Sequence, residues 1–560
     1  MKRRHHKIAD LNRGTSRSNI EACVEAKNAE ATRLFQANHI KKAVTIWEDL
    51  LAASPALHLA DAQLDILYNL ACGYSRLGML KKSMSKLEVV VAAGYCGHER
   101  IQEDLDFANI RGLPGYEELI ERLRIQQAIW DGAALKTPFC ENVSTEEKVA
   151  GLSKLWSEVK FNFAWFEHLP DLDWDNLYMK YLPDILKTTS TLEYYCLLQQ
   201  MCASLQDGHT CVHLPKELVD RACSKPPLRT RLVEDKVSIV EVLDEDLRQD
   251  GITVGLEVLE IDCVPVKEYA ARKVAPYQSA STKQGLEVKT YEYSLLAGPR
   301  NTPVELLLQD AKGNHYKRSL ARTVNGPQRH REPFTFEILS GKVAYVALNA
   351  FDEQSIVDRF ACALDSIRGS GGLIVDIREN DGGSSSVGWM ILSYLTDKPF
   401  LSTKWRTRDY RPAYRAWKRG EGWHEEPPQE LRPHGSKPYI KPVVLLTSPR
   451  TFSAAEDFAV AFDAMGRGKI IGEATGGSSG QPLIFPLPGG GTAWVCTKQD
   501  KYPDGRDFVA VGVQPRIRVV PTIDDVRAGR DTVLEAALAC FRPRRQSEPV
   551  ANLRPPFLDG

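Results

Sequence analysis

Two stretches of the chain pass from a short apolar run through a turn into a helical pattern. In the first, residues 443–446 are all valine or leucine and have the length of a buried strand, and a Ser-Pro-Arg turn follows them. Three apolar residues then continue at helical spacing: Phe458, Phe462 and Met465. Ser453 therefore lies where strand gives way to helix. Serine is favoured there as an ordinary helix cap. Its hydroxyl would also face the unpaired N–H groups of the helix, where a developing oxyanion is stabilised.

The second stretch lies about seventy residues earlier. Residues 372–378 (GLIVDIR) predict another buried strand, which runs into Glu-Asn-Asp-Gly-Gly at 379–383 before a helical pattern begins at Val387. Paired glycines allow backbone N–H groups to approach a substrate oxygen closely. Phosphate binding is the other use of such a turn, but the sequence has no Gly-Lys-Ser/Thr here. Together the two turns offer a nucleophile and part of an oxyanion hole.

Four segments in this order resemble one family: GGLIVDIRENDGG, VVLLTSPRTFSAAE, GRGKIIGEATGGSSGQ and VGVQPRIRV. They are similar to the serine peptidases that include tail-specific (C-terminal-processing) proteases, the tricorn protease core and interphotoreceptor retinoid-binding modules. The resemblance covers roughly residues 137–541. It implies that Ser453 is the nucleophile and that the oxyanion hole is formed by the N–H groups of Ala454 and of Gly382 or Gly383.

The general base differs between branches of this family. The tail-specific branch uses a lysine about twenty-five residues after the serine, but residues 473–478 read Glu-Ala-Thr-Gly-Gly-Ser, without a lysine. The sequence DGHT at 207–210 resembles a motif of the tricorn-like branch in which the histidine is the base. An isolated loop histidine is more often simply solvated. His209 is therefore predicted as the general base because of this resemblance, and His213 is expected to have no catalytic role.

One expected element of the tricorn-like site is missing. Those enzymes carry a glutamate shortly before a Gly-Val-x-Pro-Asp turn, whereas this chain has no glutamate there and Arg516 stands where the aspartate is expected. Asp207 and Asp507 are the two candidates for an orienting carboxylate. Loss of such a carboxylate can reduce turnover by about 10⁴ while some activity remains.

The N-terminal part of the chain predicts a helical repeat. Residues 20–130 resemble tetratricopeptide repeats at an unusually long offset of forty. Partner binding and a plain structural cap are both open functions for this region. The residues that correspond at this offset are Ala31, Phe35, Asn38 and Ala43 with Ala71, Ser75, Gly78 and Ser83.

Short strands separated by glycine, proline and aspartate fill residues 228–323, with a hairpin turn at Gly313. GITVGLEVLEIDCVPVKEY resembles half of a PDZ domain, which binds peptides as an added strand. A lid or channel wall is equally open. Residues 400–440 are rich in arginine and aromatics, which suits single-stranded nucleic acid. The acidic residues among them favour a cleft rim or a surface excursion.

The predicted fold class is multidomain α+β. The resemblance implies a Clp protease/crotonase-like α/β catalytic domain. In chain order the predicted parts are a disordered basic tail (1–19), tetratricopeptide-like repeats (20–130), a helical subdomain carrying DGHT (137–225), a PDZ-like domain (228–323), a catalytic peptidase domain (330–541) and a Pro-rich tail (542–560).

Composition narrows the possible partners. The 560 residues are 43% hydrophobic and 26% charged with a formal net charge of −1, which argues against nucleic acid or an anionic membrane as partner. No apolar run approaches the ~18–20 residues of a membrane span, and the basic start lacks the apolar core of a signal peptide. The twelve cysteines are scattered without zinc spacing. We therefore expect a cytoplasmic protein without disulfides, metal or cofactor.

These observations lead to a hypothesis of acyl transfer. Ser453, deprotonated by His209, would attack the carbonyl of a peptide or unfolded protein, and water would release the acyl-enzyme. The alternative is a catalytically retired family member that binds an apolar ligand or acts as a repeat-based adaptor. The sequence leaves the oligomeric state open.

Overall fold

The computed structural model describes residues 17–53, 60–95, 97–325, 331–435 and 437–542. The chain divides into two compact units, Met1–Ala134 and Leu135–Gly560. The two predicted tails lie mostly outside the described residues. Residues 17–19, which the sequence placed in the basic tail, begin the first helix.

The described part of the first unit is helical throughout. Its apolar residues form two adjoining buried clusters, centred on Trp47 and on Phe107. A short 3₁₀ turn at Leu105–Phe107 separates the last two helices. The six α-helices are α1 (Arg17–Gln36), α2 (Ile40–Ala53), α3 (Ala60–Arg76), α4 (Leu80–Ala92), α5 (His98–Glu103) and α6 (Pro114–Asp131).

Positions forty residues apart play the same structural part in this unit. Asn38 and Gly78 follow α1 and α3 in the left-handed conformation, with φ of 59° and 71°. Small residues let neighbouring helices approach, and those at the offset are fully buried: Ala31, Ala43, Ala71 and Ser83. The Ser83 hydroxyl donates to the Ala71 carbonyl at 2.7 Å, so the serine is accommodated without an unsatisfied polar group. Membership of the tetratricopeptide class stays a prediction.

The second unit begins with four helices. Ser144 caps the first of them through a reciprocal capping box with Glu147. The DGHT sequence follows the third helix, where the chain turns into strand β1 (Cys211–His213). The helices are α7 (Thr145–Asn162), α8 (Trp174–Lys187), α9 (Thr191–Ala203) and α10 (Lys216–Ala222).

Residues 224–325, called the insert from here on, form a separate antiparallel sheet. The strands run β3-β4-β5-β7-β8, with β6 on β5, around a core of their own. Gly313, at φ +84°, lies in the hairpin between β7 and β8. The strands are β2 (Ser224–Lys225), β3 (Leu228–Val233), β4 (Lys236–Val242), β5 (Glu257–Ile261), β6 (Val264–Pro265), β7 (Pro303–Gln309), β8 (His315–Ala321) and β9 (Val324–Asn325). The helices are α11 (Glu245–Gln249), α12 (Val266–Tyr269) and α13 (Lys283–Glu287), with π-helical segments at Ala270–Val274 and Val288–Ser294.

The rest of the second unit is an α/β domain. Its strands are β10 (Phe334–Leu339), β11 (Val343–Leu348), β12 (Gly372–Asp376), β13 (Phe400–Leu401), β14 (Lys404–Asp409), β15 (Gly422–Glu426), β16 (Glu430–Leu431), β17 (Val443–Thr447), β18 (Gly468–Gly472), β19 (Pro482–Pro486), β20 (Thr492–Cys496), β21 (Lys498–Lys501) and β22 (Ile517–Arg518). Its helices are α14 (Ser355–Gly369), α15 (Ser385–Ser393), α16 (Pro412–Ala416), α17 (Ala454–Ala464), α18 (Ile523–Arg527) and α19 (Thr532–Ala539).

The main sheet explains why the two predicted turns meet. Its order is β10-β11-β12-β17-β18-β22, and every pair after the first is parallel. Both β12 and β17 are buried along their whole length, with α14, α15 and α17 packed on one face and α19 on the other. Neighbouring parallel strands end at the same edge of a sheet. The segments after β12 and β17 therefore lie side by side.

Two smaller sheets attach outlying segments to this domain. Strand β1 pairs with β20, which brings the DGHT loop onto the α/β domain. The arginine-rich excursion forms the β14–β15 hairpin and pairs with β21. Within it, Arg406 stacks over the Trp423 ring at 4.1 Å and hydrogen bonds to Gln499. This excursion is thus a folded part of the domain surface, as the sequence favoured.

Candidate active site

Ser453 lies between β17 and α17 in an unusual backbone conformation. Its φ of 56° and ψ of −126° are rarely adopted by residues other than glycine. The hydroxyl makes no capping hydrogen bond to the helix. Its backbone N–H donates to the Ser478 carbonyl at 3.0 Å. A strained strand-to-helix turn that exposes a serine hydroxyl is the geometry of a nucleophile elbow.

His209 reaches this hydroxyl from a loop 244 residues away in the sequence. Its Nε2 lies 3.0 Å from Ser453 Oγ, and its Nδ1 lies 2.9 Å from Ser478 Oγ. The ring stacks on Phe452 with centroids 4.7 Å apart and planes 13° apart. If Nε2 is to accept the Ser453 proton, Nδ1 must carry the hydrogen and donate it to Ser478. The structure thus brings together Ser453 and His209, which the sequence predicted as nucleophile and base, and these roles stay predictions.

Ser478 was not predicted as a site residue. It stands twenty-five residues after Ser453, at the spacing where the tail-specific branch has its lysine. A hydroxyl at that spacing was the one available signal for it. Glu456, fully buried in the first turn of α17, fixes the loop by accepting the N–H groups of Gly477 at 2.8 Å and Ser478 at 2.7 Å and the hydroxyl of Thr475. Burial raises the pKa of the Glu456 carboxyl to about 7.

Neither predicted carboxylate contacts the His209 ring. Asp207 is buried beside it but accepts the hydroxyls of Thr210 at 2.6 Å and Ser281 at 3.3 Å, and burial raises its pKa. Asp507 is half-exposed and pairs with Lys501 at 2.9 Å. Because Ser478 occupies Nδ1, a hydroxyl stands where the sequence led us to look for a carboxylate.

The glycine turn after β12 packs directly against Ser453. A Cβ on Gly382, whose φ is +114°, would lie 2.7 Å from Ser453 Cβ and 3.2 Å from its Oγ, so only glycine fits. The Gly382 N–H is already taken by the Asn380 side chain at 2.9 Å. The N–H groups of Gly383 and Ala454 have no acceptor among the described residues. Gly382 thus allows the close approach to Ser453, whereas Gly383 keeps an N–H available.

Hydrogen bonds tie the two turns into one unit. Phe452 N–H donates to the Asn380 carbonyl at 3.0 Å, and the Thr451 hydroxyl donates to the Ile377 carbonyl at 2.8 Å. Asp457, buried beside Glu456, accepts the Ser385 hydroxyl from the start of α15. Side chains fixed in this way need no rearrangement during reaction, which is the condition for electrostatic preorganisation.

Comparison with known proteins assigns this region to a family. Residues 342–519 match the profile of Peptidase family S41. This segment is therefore similar to an S41 peptidase domain. The carboxyl-terminal-processing peptidase 2, chloroplastic, of Arabidopsis thaliana is 24% identical over 241 residues, 43% of this chain and 42% of that protein. The C-terminal processing peptidase, chloroplastic, of Tetradesmus obliquus is 27% identical over 265 residues, 43% of this chain and 52% of that protein. These matches span about half the length of the relatives.

The fold has a similar counterpart among solved structures. Mature CPAF complexed with lactacystin superposes with a TM-score of 0.58 at 18% identity, covering 71% of this chain and 98% of that chain. The predicted resemblance to the tail-specific protease family is confirmed by the family match and the similar processing peptidases. The PDZ-like and Clp/crotonase-like identities of the individual domains stay predictions.

The charge state of His209 follows from the groups that surround its ring. Burial first, and then the cations Lys289 and Lys498, lower its pKa to about 3. A histidine acts as a base only when it is neutral. Since the depressed pKa lies well below neutral pH, the ring is neutral and able to accept a proton under physiological conditions. The same surroundings disfavour the imidazolium that forms after the transfer.

Replacing Ser478 with alanine should slow labelling of Ser453 by a fluorophosphonate about fivefold, because a neutral hydrogen bond is worth roughly 1 kcal/mol. The change removes the acceptor that fixes the His209 tautomer. The measurement is the rate of labelling by excess probe. Ser384→Ala, which removes an exposed hydroxyl bonded only to Ser386, is the matched control and should keep the wild-type rate. Equal labelling rates in all three proteins would show that Ser478 does not orient His209.

Among the described residues, one cluster outside the candidate active site has side chains that could bind a metal ion. Cys72, Asp104 and Asp106 of the first unit have ligand atoms within 4.8 Å of one another. Asp104 already accepts the Tyr68 hydroxyl at 2.8 Å, and burial raises the pKa of the Cys72 thiol, which disfavours the thiolate a metal requires. This cluster is therefore explained as a buried polar network.

Proposed function

We propose that this protein is a serine peptidase that cleaves peptide bonds through an acyl-enzyme. Ser453 is the nucleophile, His209 the general base and Ser478 the group that orients it. The observation that carries the proposal is the 3.0 Å distance between His209 Nε2 and Ser453 Oγ. The Ser453 hydroxyl makes no capping hydrogen bond to α17. A nucleophile within hydrogen-bond reach of a base that is itself oriented is the general signature of covalent hydrolysis.

The first half of the reaction forms the acyl-enzyme. Ser453 Oγ bonds to the substrate carbonyl carbon while its proton passes to His209 Nε2. The carbonyl oxygen becomes an oxyanion and accepts the N–H groups of Ala454 and Gly383. The bond to the leaving nitrogen then breaks, and that nitrogen takes the proton from Nε2.

The second half returns the enzyme to its starting state. His209, neutral again, removes a proton from water as the water oxygen attacks the acyl carbon. The same two N–H groups stabilise the second oxyanion. When the bond to Ser453 Oγ breaks, the proton on Nε2 returns to the serine. The peptide acid leaves and no other reactant is consumed.

The identity of the orienting group bears on the rate. A carboxylate stabilises the imidazolium by charge, whereas the Ser478 hydroxyl offers only a neutral acceptor. Burial and two nearby cations act against the same imidazolium. We infer a slower enzyme than one with a serine, histidine and carboxylate triad. If the rate were reduced to zero, the protein would be the retired binder or adaptor.

Labelling of the wild-type protein by a fluorophosphonate tests the proposal. The site of the label is located by mass spectrometry, and folding is checked by thermal denaturation. Label on Ser453 supports an activated nucleophile. Absence of label in a protein that unfolds cooperatively would overturn the peptidase proposal in favour of the retired binder or adaptor.

The remaining expectations concern substrate and location. Peptide or protein substrates are proposed from the family, together with a protein partner for the helical N-terminal unit. None of the described helices has the length and apolarity to cross a membrane. Two of the relatives are named as chloroplastic, and a cytoplasmic location for this chain stays a prediction.

A further inference from the structure

Residues 279–289 of the insert, called the bridging segment, lie across the loop that carries His209. The Gly208 N–H donates to the Ser281 hydroxyl at 2.9 Å, and that hydroxyl donates to Asp207 at 3.3 Å. Lys289 Nζ donates to the Gly208 carbonyl at 3.3 Å and to the Ser279 carbonyl at 2.6 Å. Both backbone polar groups of the residue before His209 are thus held by the insert.

The bridging segment also reaches the loop that carries Ser478. The Thr282 hydroxyl donates to the Gly476 carbonyl at 2.6 Å. The Gln284 amide donates to the Thr475 carbonyl at 3.0 Å. One segment of the insert therefore contacts the loops on both sides of the His209–Ser478 hydrogen bond.

Lys289 is the member of this segment with an unusual electrostatic position. It makes no ion pair with any described residue, and carbonyl oxygens accept its hydrogen bonds. Its Nζ lies 5.5 Å from the centre of the Phe452 ring, on which His209 stacks. Even a partly buried cation without a paired carboxylate is costly, and perturbed groups of this kind concentrate at functional sites.

We propose that Lys289 is a positioning residue for His209, which fixes the Gly208 carbonyl and keeps the imidazole neutral between turnovers through like-charge repulsion. The inference rests on the proposed role of His209 as general base. It gives the insert a part in the chemistry that does not depend on peptide binding. The ammonium acts on the reaction only through the histidine loop.

The groups around both side chains support this direction of effect. Lys289 faces Asp207 and Cys211, and its own pKa is lowered by burial, which these two groups oppose. The cations that face His209 are Lys289 and Lys498. Asp207, the carboxyl group of the histidine loop, is engaged with the Thr210 hydroxyl rather than the ring. Removing the Lys289 charge should therefore make His209 easier to protonate.

The test compares wild type, Lys289→Met and Lys289→Arg by NMR of ring-¹⁵N-labelled histidine from about pH 2 to 8, a range that includes the wild-type His209 pKa of about 3. Signals that vanish in His209→Ala identify the ring. In Lys289→Met the protonation midpoint should rise by about one pH unit, the usual scale for one nearby charge. Lys289→Arg keeps the charge and should retain the wild-type midpoint. The matched control, Lys283→Met, removes a lysine that is 88% exposed and should leave the midpoint unchanged.

The rate of Ser453 labelling against pH gives a second readout. Since His209 acts as a base when neutral, a higher pKa moves the acid limb of Lys289→Met to higher pH, whereas loss of packing alone would lower the rate equally at all pH values. If Lys289→Met does not fold, Lys289→Gln, which keeps donor groups without the charge, takes its place. A His209 midpoint unchanged in a folded neutral variant overturns the proposal. Wild-type protein that does not label would overturn the peptidase function alone, because the NMR comparison needs no activity.

Discussion

Ser453→Ala should abolish fluorophosphonate labelling and peptide hydrolysis while leaving thermal unfolding close to that of the wild type. The change removes the one atom that would bond to the probe. The hydroxyl contributes no capping bond whose loss would destabilise α17. Alanine keeps the Cβ that packs against Gly382. The measurement is mass spectrometry of the protein after exposure to excess probe.

Two comparisons make this result specific. Ser384→Ala, near the same site, should label as the wild type does, since that hydroxyl contacts neither Ser453 nor His209. Labelling of Ser453→Ala at the wild-type stoichiometry would show that another residue is the nucleophile. The assignment of this turn as the catalytic one would then be wrong.

The parts of the site that could be predicted from sequence share one physical feature. Buried parallel strands are apolar on both faces, so β12 and β17 stand out as continuous apolar runs. The turns after them follow directly, and so does the location of Ser453. His209 required the family resemblance, because nothing local distinguishes a catalytic loop histidine from a solvated one.

Other parts depend on long-range contacts that no local pattern encodes. Gly382 and Gly383 were equivalent in sequence, and only the Asn380 side chain, by occupying the first N–H, tells them apart. Asp207 lies two residues from His209, yet its carboxyl group bonds elsewhere. The orienting hydroxyl of Ser478 comes from 269 residues away. Adjacency in sequence was a poor guide to which group meets the ring.

The insert illustrates the same limit for a whole domain. Its alternating apolar residues predicted the strands around its core, including β4, β5 and β7. Such a pattern identifies which residues face inward, but it leaves open which polar residues face a neighbouring domain. Ser281, Thr282 and Lys289 are polar residues of this kind, so their contacts with the His209 and Ser478 loops could not be predicted from the pattern.

His209→Ala should reduce the rate of Ser453 labelling by at least about two orders of magnitude, the usual scale for loss of a general base. Without the imidazole the Ser453 proton has no acceptor within reach, because Ser478 contacts the ring rather than the nucleophile hydroxyl. The rate is measured near neutral pH, where the wild-type ring is unprotonated.

His213→Ala is the matched control for this loss. It removes an exposed histidine four residues further along the chain that packs on Trp494, and it should leave the rate within about twofold, as expected of surface changes. A His209→Ala protein as reactive as the wild type would mean that a different base serves Ser453. Lys289 and Lys498 would then be the first groups to test, since both cations influence the same ring. If only His209→Ala loses rate, the Ser453 proton passes to His209 Nε2, as the 3.0 Å distance between the two groups favours.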